Sequence, residues 1–155
     1  MSGLVIGDLA PDFVLPTHTG GSLSLAALRG KTLVLYFYPG DDTPTCTTEA
    51  LDFTAAKSDF DAAGTLIIGI SPDSVASHAK FVAKRGLGIT LAADEDHVVA
   101  EAYGVWREKK MYGRSFMGIV RTTFLIGADG RIAAIWPVSR VKGHVAEVLA
   151  AARAL

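Results

Sequence analysis

The chain holds a single cysteine, Cys46, among its 155 residues. No disulfide can close within it, and no Cys-x-x-Cys pair exists for dithiol exchange. The longest apolar runs are strand-sized, which excludes a membrane-spanning helix. No basic residue precedes Arg29, so no secretory signal is expected and the cytoplasm is the expected compartment. Charges of the two signs nearly cancel, to a net −1. Neither nucleic acid nor an anionic membrane is therefore expected as partner. The histidines, His18, His78, His97 and His144, fall at no ligand spacing around the cysteine, so no metal and no cofactor is expected.

What is present is a globular composition, half hydrophobic and one-fifth charged, without repeats, linkers or low-complexity segments. Residues 1–155 read as one domain, long enough to bury a full core. The segment 11–25, containing DFVLPTHTGGSLSL, alternates apolar and polar residues around Gly20-Gly21 and predicts a small amino-terminal hairpin. TLVLYFY (32–38) and TLIIGI (65–70) are continuous apolar runs, each predicting a strand buried on both faces. Between them, Cys46, Ala50, Phe53, Ala56 and Phe60 form one helical face, predicting a helix to about Ala62 that Gly64 ends.

Ser71-Pro72-Asp73-Ser74 offers capping oxygens for a helix to Arg85, closed by Gly86. A short strand over 89–92 precedes a helix over 96–103. VWREKKMYGRSFMG (105–118) shows no period and predicts a loop. VRTTFLI and RIAAIW flank Gly127-Ala128-Asp129-Gly130 as a hairpin, and HVAEVLAAARAL predicts a closing helix. This order implies a central mixed sheet flanked by helices, a thioredoxin-like α/β fold with an N-terminal β-hairpin extension. An all-parallel, flavodoxin-like sheet fits less well because of the late hairpin.

Thr43 suits an N-cap, and Pro44 suits the first helical position, where its missing N–H costs nothing. Cys46 then lies within the first turn, where unpaired N–H groups and the helix dipole favour a thiolate. Asp41 and Asp42 oppose this and must turn outward. A buried structural thiol and a reactive one both fit these facts. The strand-to-helix junction is the position that reacting groups favour in open α/β sheets.

Tyr38-Pro39 followed by Thr43-Pro44-Thr45-Cys46 resembles the peroxiredoxin signature. FYPGDDTPTCTTEA, GISPDSVASHAKF (69–81) and YGRSFMGIVRTTFLIGADGRI (112–132) resemble the bacterioferritin comigratory protein (PrxQ) branch. The similarity runs over nearly the whole chain. It implies a thiol-dependent peroxidase in which Pro39, Thr43, Cys46 and Arg121 hold the active-site positions and Glu49 is a supporting carboxylate. By that resemblance Cys46 attacks hydrogen peroxide or an organic hydroperoxide and becomes a sulfenic acid. Thr43 orients the peroxide, Arg121 holds thiolate and peroxide, and Pro39 shields the sulfur. From the residues alone, GIVRTTFLIG predicts Arg121 inside an apolar strand, where a charge needs a partner.

Lowering a thiol pKa from about 8.5 to about 6 raises its thiolate fraction at neutral pH roughly 30-fold. Its nucleophilicity falls about 10-fold in exchange. The net gain is a few-fold, so oriented donors must supply most of the catalysis.

Branch members that carry a resolving cysteine place it five residues after the first, where this chain has Leu51, or on the next helix, near Val82. Its absence implies a one-cysteine cycle with an external thiol: thioredoxin, glutaredoxin or glutathione. A thioredoxin-type oxidoreductase is disfavoured by Thr43 at the first cysteine's place. A redox sensor or holdase using Cys46 as a switch is the non-enzymatic alternative. The expected assembly is a monomer or weak homodimer. Arg107, Lys109, Lys110 and Arg114 read as a solvated loop able to attract anionic thiols, with Trp106, Phe116 and Met117 as core or pocket rim.

Overall fold

The computed structural model describes residues 3–155. A short hairpin, β1 (Val14–Pro16) and β2 (Ser22–Ser24), leads through a 3₁₀ turn into β3 (Thr32–Phe37). Then follow α1 (Pro44–Ala55), α2 (Lys57–Ala62), β4 (Thr65–Ser71), α3 (Val75–Arg85), β5 (Thr90–Ala93) and α4 (Val98–Ala102). The chain closes with β6 (Trp106–Met111), β7 (Arg114–Ile119), β8 (Thr122–Ile126), β9 (Ile132–Pro137) and α5 (His144–Arg153).

The central sheet has the order β5-β4-β3-β8-β9. β3, β4 and β5 are parallel, β8 is antiparallel to β3, and β9 is antiparallel to β8, as the late hairpin required. Alternation along β3 divides the core. Leu33, Leu35 and Phe37 face the amino-terminal hairpin and α4, whereas Val34 and Tyr36 face α1, α3 and α5. One close approach depends on a missing side chain. A Cβ on Gly69 of β4 would lie 2.7 Å from Tyr36 Cζ, so only glycine lets that ring cross the neighbouring strand. The ring then stacks on Phe53 of α1 at 4.7 Å and on Tyr38 at 5.4 Å.

The structure departs from the sequence expectations in three places. The helix expected to run unbroken to Ala62 breaks at Ala56, whose ψ is 2°; alanine is the best helix former, so intrinsic propensity does not cause the break. Residues 105–118 are not a loop. They form most of an antiparallel hairpin of six paired positions, from Trp106↔Ile119 to Met111↔Arg114. Both of its strands are largely exposed, so no apolar alternation announces them. Its turn, Tyr112-Gly113, has φ of 52° and 75°; both are positive, as in a type I′ turn, without the usual Asn-Gly or Asp-Gly. Arg121 does not sit within a strand but immediately before Thr122, the first residue of β8. No helix among the described residues is long and apolar enough to cross a membrane.

Candidate active site

β3 delivers the chain to a turn at Pro39-Gly40, from which α1 starts. Thr43 is the N-cap residue, with extended backbone (ψ 156°), and Pro44 opens the helix. The Thr43 hydroxyl does not cap the helix. It donates instead to the Gly40 carbonyl at 3.3 Å and closes the turn. The first-turn hydrogen bond runs from Thr47 N to Thr43 O at 2.8 Å. The N–H groups of Thr45 and Cys46 thus have no intrahelical acceptor, because they lie in the first turn.

Cys46 is 1% exposed and shares its cluster with Tyr36, Ala50 and Phe53. Arg121 reaches it from the amino end of β8. Its Nη2 donates to Cys46 Sγ at 3.2 Å, and its Nη1 donates to Glu49 Oε1 at 2.6 Å. Glu49 lies one turn along α1 from the cysteine, fully buried, while the Arg121 side chain is 13% exposed. A guanidinium carries its donors as a rigid fork, so one cation can hold a thiolate and a carboxylate at once. Burial pushes the Glu49 carboxyl up to about 7, only partly opposed by Arg121. Burial works against the Arg121 cation, yet Glu49 and Cys46 outweigh it and raise its pKa. Glu49 Oε2, the Tyr36 hydroxyl and the Thr47 hydroxyl are buried without a hydrogen-bond partner.

The two aspartates that threatened the thiolate are occupied elsewhere. The Asp41 carboxylate accepts from Tyr38 Oη at 2.7 Å and Ser77 Oγ at 2.7 Å, and faces His78 Nδ1 at 2.8 Å. Burial works against its charge, but the hydrogen bonds from His78, Tyr38 and Ser77 prevail and lower its pKa. Asp42 pairs with Lys84 at 2.6 Å and Arg85 at 2.8 Å, which lowers its pKa through hydrogen bonding. Both charges are thereby drawn onto α3.

Of the expected site residues, Cys46, Glu49 and Arg121 come together directly, and Thr43 stands at the start of the same helix turn. Pro39 is exposed on the turn, and the sulfur's burial is described by Tyr36, Ala50 and Phe53. The residue spacing gave no sign of Tyr36, or of the Asp41, Asp73 and His78 group, whose ligand-type atoms lie within 4.8 Å of one another. Asp73 Oδ2 there accepts from the Asp41 N–H at 2.8 Å and from Ser71 Oγ at 2.6 Å. His78 Nε2 meets the Ala92 carbonyl at 3.0 Å. The one available signal was a histidine three residues before Phe81 on the buried face of α3, where a polar ring requires partners.

Residues 6–135 match the model of the AhpC/TSA family. The chain is 47% identical to peroxiredoxin Bcp of Bacillus subtilis over 144 residues, 93% of this chain and 92% of that protein. The structure of Xanthomonas campestris peroxiredoxin Q superposes with a TM-score of 0.90 at 43% identity, covering 99% of this chain and 97% of that one. A cysteine-to-serine mutant of Xylella fastidiosa PrxQ gives 0.93 at 37% identity, covering 99% and 98%. A thioredoxin-like fold with a thiol and an arginine at one end of the central strands thus has its counterpart, and the chain belongs to the AhpC/TSA family. Within it, the chain is a peroxiredoxin of the Bcp (PrxQ) branch that carries one cysteine.

Proposed function

We propose that Cys46 is the residue that reduces peroxide, and that Arg121 is the group that makes its attack productive. The carrying observation is the Arg121 fork, 3.2 Å from Sγ and 2.6 Å from Glu49, at a helix start. The thiolate attacks one oxygen of a hydroperoxide, the S–O bond forms and the O–O bond breaks. Cys46 becomes a sulfenic acid, and the departing oxygen takes a proton to leave as water or alcohol. As the bond lengthens, negative charge develops on that oxygen. Arg121 and the free Thr45 and Cys46 N–H groups are the donors placed to receive it. The Thr43 hydroxyl spends its proton on Gly40, which leaves its lone pairs to accept from the incoming peroxide. Glu49 fixes the guanidinium, and Pro39 forms the rim.

The substrates are hydrogen peroxide and organic hydroperoxides. Structures of the Xanthomonas campestris bacterioferritin comigratory protein as a trapped intermediate address its alkyl peroxide reduction activity, which supports this reading. With Leu51 at the fifth position after Cys46, an external thiol attacks the sulfenic sulfur and expels water. A second thiol then cleaves the mixed disulfide. A yeast mitochondrial 1-Cys peroxiredoxin, of TM-score 0.79 and 27% identity, is described as resolving its thiol via glutathione/thioredoxin systems. Thioredoxin, glutaredoxin and glutathione are the candidate donors here, acting in the cytoplasm on a monomer or weak dimer. Anaerobic rapid mixing with either peroxide, followed by mass spectrometry of Cys46, tests the reading. Sulfenic acid should form orders of magnitude faster than in free cysteine. An equal rate sinks the proposal, and fast oxidation without repeated turnover under any thiol donor identifies a sensor.

A further inference from the structure

Beyond its base, where Ile119 joins the core and Trp106 packs against it, the β6–β7 hairpin serves neither the core nor the reacting groups. Its strands pair only with each other, and an isolated two-stranded sheet is marginal in water. Its base is therefore fastened. Trp106 stacks on His97 at 4.0 Å, Ile119 is buried, and Lys109 Nζ donates to the Ile119 carbonyl at 2.9 Å. The distal half carries no such cover: Met111 is 56% exposed, Tyr112 96% and Phe116 44%. A shallow hollow of about 440 Å³ opens among Met111, Tyr112, Arg114, Ser115 and Phe116.

Charge is distributed unevenly here. Residues 106–119 hold Arg107, Lys109, Lys110 and Arg114 against Glu108, in a chain of net charge −1. Among the described residues none of these five takes part in a salt bridge. The pairing puts Arg107, Lys109, Met111, Arg114 and Phe116 on one face, while Glu108 falls on the other.

The hairpin also stands at the end of the sheet from which the reacting groups project. Phe37, at the end of β3, pairs with Thr122, at the start of β8. The turn leading to Cys46 and Arg121 therefore leave the sheet side by side. Ile119 precedes Arg121 by two residues, and the Val120 N–H donates to Val105 at 2.8 Å.

Resting on the peroxidase reading, we infer that the Arg107–Arg114 face of the hairpin docks an acidic dithiol protein whose thiol resolves Cys46. The one-cysteine cycle demands an outside thiol. On this face the cations run from Arg107 to Arg114, which pairs with Met111, four residue steps or about 14 Å, a reach that suits a protein surface better than a single tripeptide thiol. Cations hydrogen-bonded at most to backbone carbonyls and without a salt-bridge partner, beside exposed Met111, Tyr112 and Phe116, match a partner surface with an apolar centre and an acidic rim.

The test uses the full chain with Arg107→Glu/Arg114→Glu, and with Lys110→Glu on the opposite face. An acidic thioredoxin and dithiothreitol serve in turn as reductant. The double variant should lower kcat/KM for thioredoxin by about tenfold, with a weakened salt dependence. Its dithiothreitol turnover and its rate of Cys46 oxidation should match the parent protein. Lys110→Glu should show a smaller loss. Equal thioredoxin kinetics in the parent and the double variant overturns the inference, and so does an equal loss in Lys110→Glu. Should Cys46 fail to oxidise at all, the peroxidase reading falls instead. Calorimetric titration with a thioredoxin whose thiols are changed to serine still decides the docking: binding weakened in the double variant sustains it, and unchanged binding overturns it.

Discussion

Two buried clusters flank the turn between β3 and α1, and they follow opposite rules. At Asp41 both carboxylate oxygens are engaged, by Tyr38, Ser77 and His78, and its pKa falls. At Glu49 only Oε1 is engaged, by Arg121, while Oε2 has no partner and burial drives the pKa up to about 7. Burial is common to both. The number of donors decides whether a buried acid keeps its charge. The saturated cluster fixes the turn, and the undersaturated one lies beside the sulfur.

The contrast can be broken most completely at the sulfur. Cys46→Ser should abolish peroxide consumption while circular dichroism and Tm show an intact fold. Next, Arg121→Ala should slow Cys46 oxidation about 10²- to 10³-fold, the cost of removing an oriented donor to a developing anion. Stopped-flow measurement would check this, and an unchanged rate would make the arginine purely structural. Arg121→Lys should recover only part of the loss, because an ammonium cannot span both partners as a fork.

The two acids should also differ in the sign of their pH dependence. Glu49 has a folded pKa of about 7 against an ordinary 4.5. The native state therefore holds a proton that the unfolded state has lost. Stability falls as pH rises across that window, by on the order of 3 kcal/mol in total, and levels off above it. Glu49→Gln should flatten this decline in denaturant titrations. Asp41, with a lowered folded pKa, contributes stability that is present above its ordinary 3.8 and lost as pH falls through the folded value. Asp41→Asn should remove that acid limb and cost about 2–3 kcal/mol near neutrality, since His78, Tyr38 and Ser77 then share one neutral amide oxygen, and an NH2 donor replaces the other acceptor. Its effect on Cys46 oxidation should be smaller than that of Arg121→Ala. Least of all, Asp42→Asn should leave Tm unchanged, because its partners Lys84 and Arg85 are exposed and its left-handed φ of 59° suits asparagine equally.

Legibility followed the range of the interactions. Thr43, Pro44 and Cys46 were readable because capping and the first helical turn are local rules. β3 and β4 were readable because strands buried on both faces are continuously apolar. The Asp41–His78 contact spans 37 residues, and no local pattern encodes it. Thr43 was placed correctly at the N-cap, but its hydroxyl turned back to Gly40, a choice made by turn geometry. Arg121 was judged to need a partner, and Glu49 with Cys46 supplies one, although the residue stands ahead of β8 rather than within it. The β6–β7 hairpin escaped notice because its faces meet water, and a strand solvated on both sides carries no periodic signature.

The notch at Gly69 reaches further than one ring. It lets Tyr36 lie flat across β4, and Phe53 of the sulfur-bearing helix rests on Tyr36. The seat of α1 is thus machined from below, by a glycine on the neighbouring strand. Adding a single methyl at Gly69 would lift the tyrosine, then the phenylalanine, then the helix start from which Cys46 meets Arg121. The tolerance of the reactive centre is set two layers beneath it.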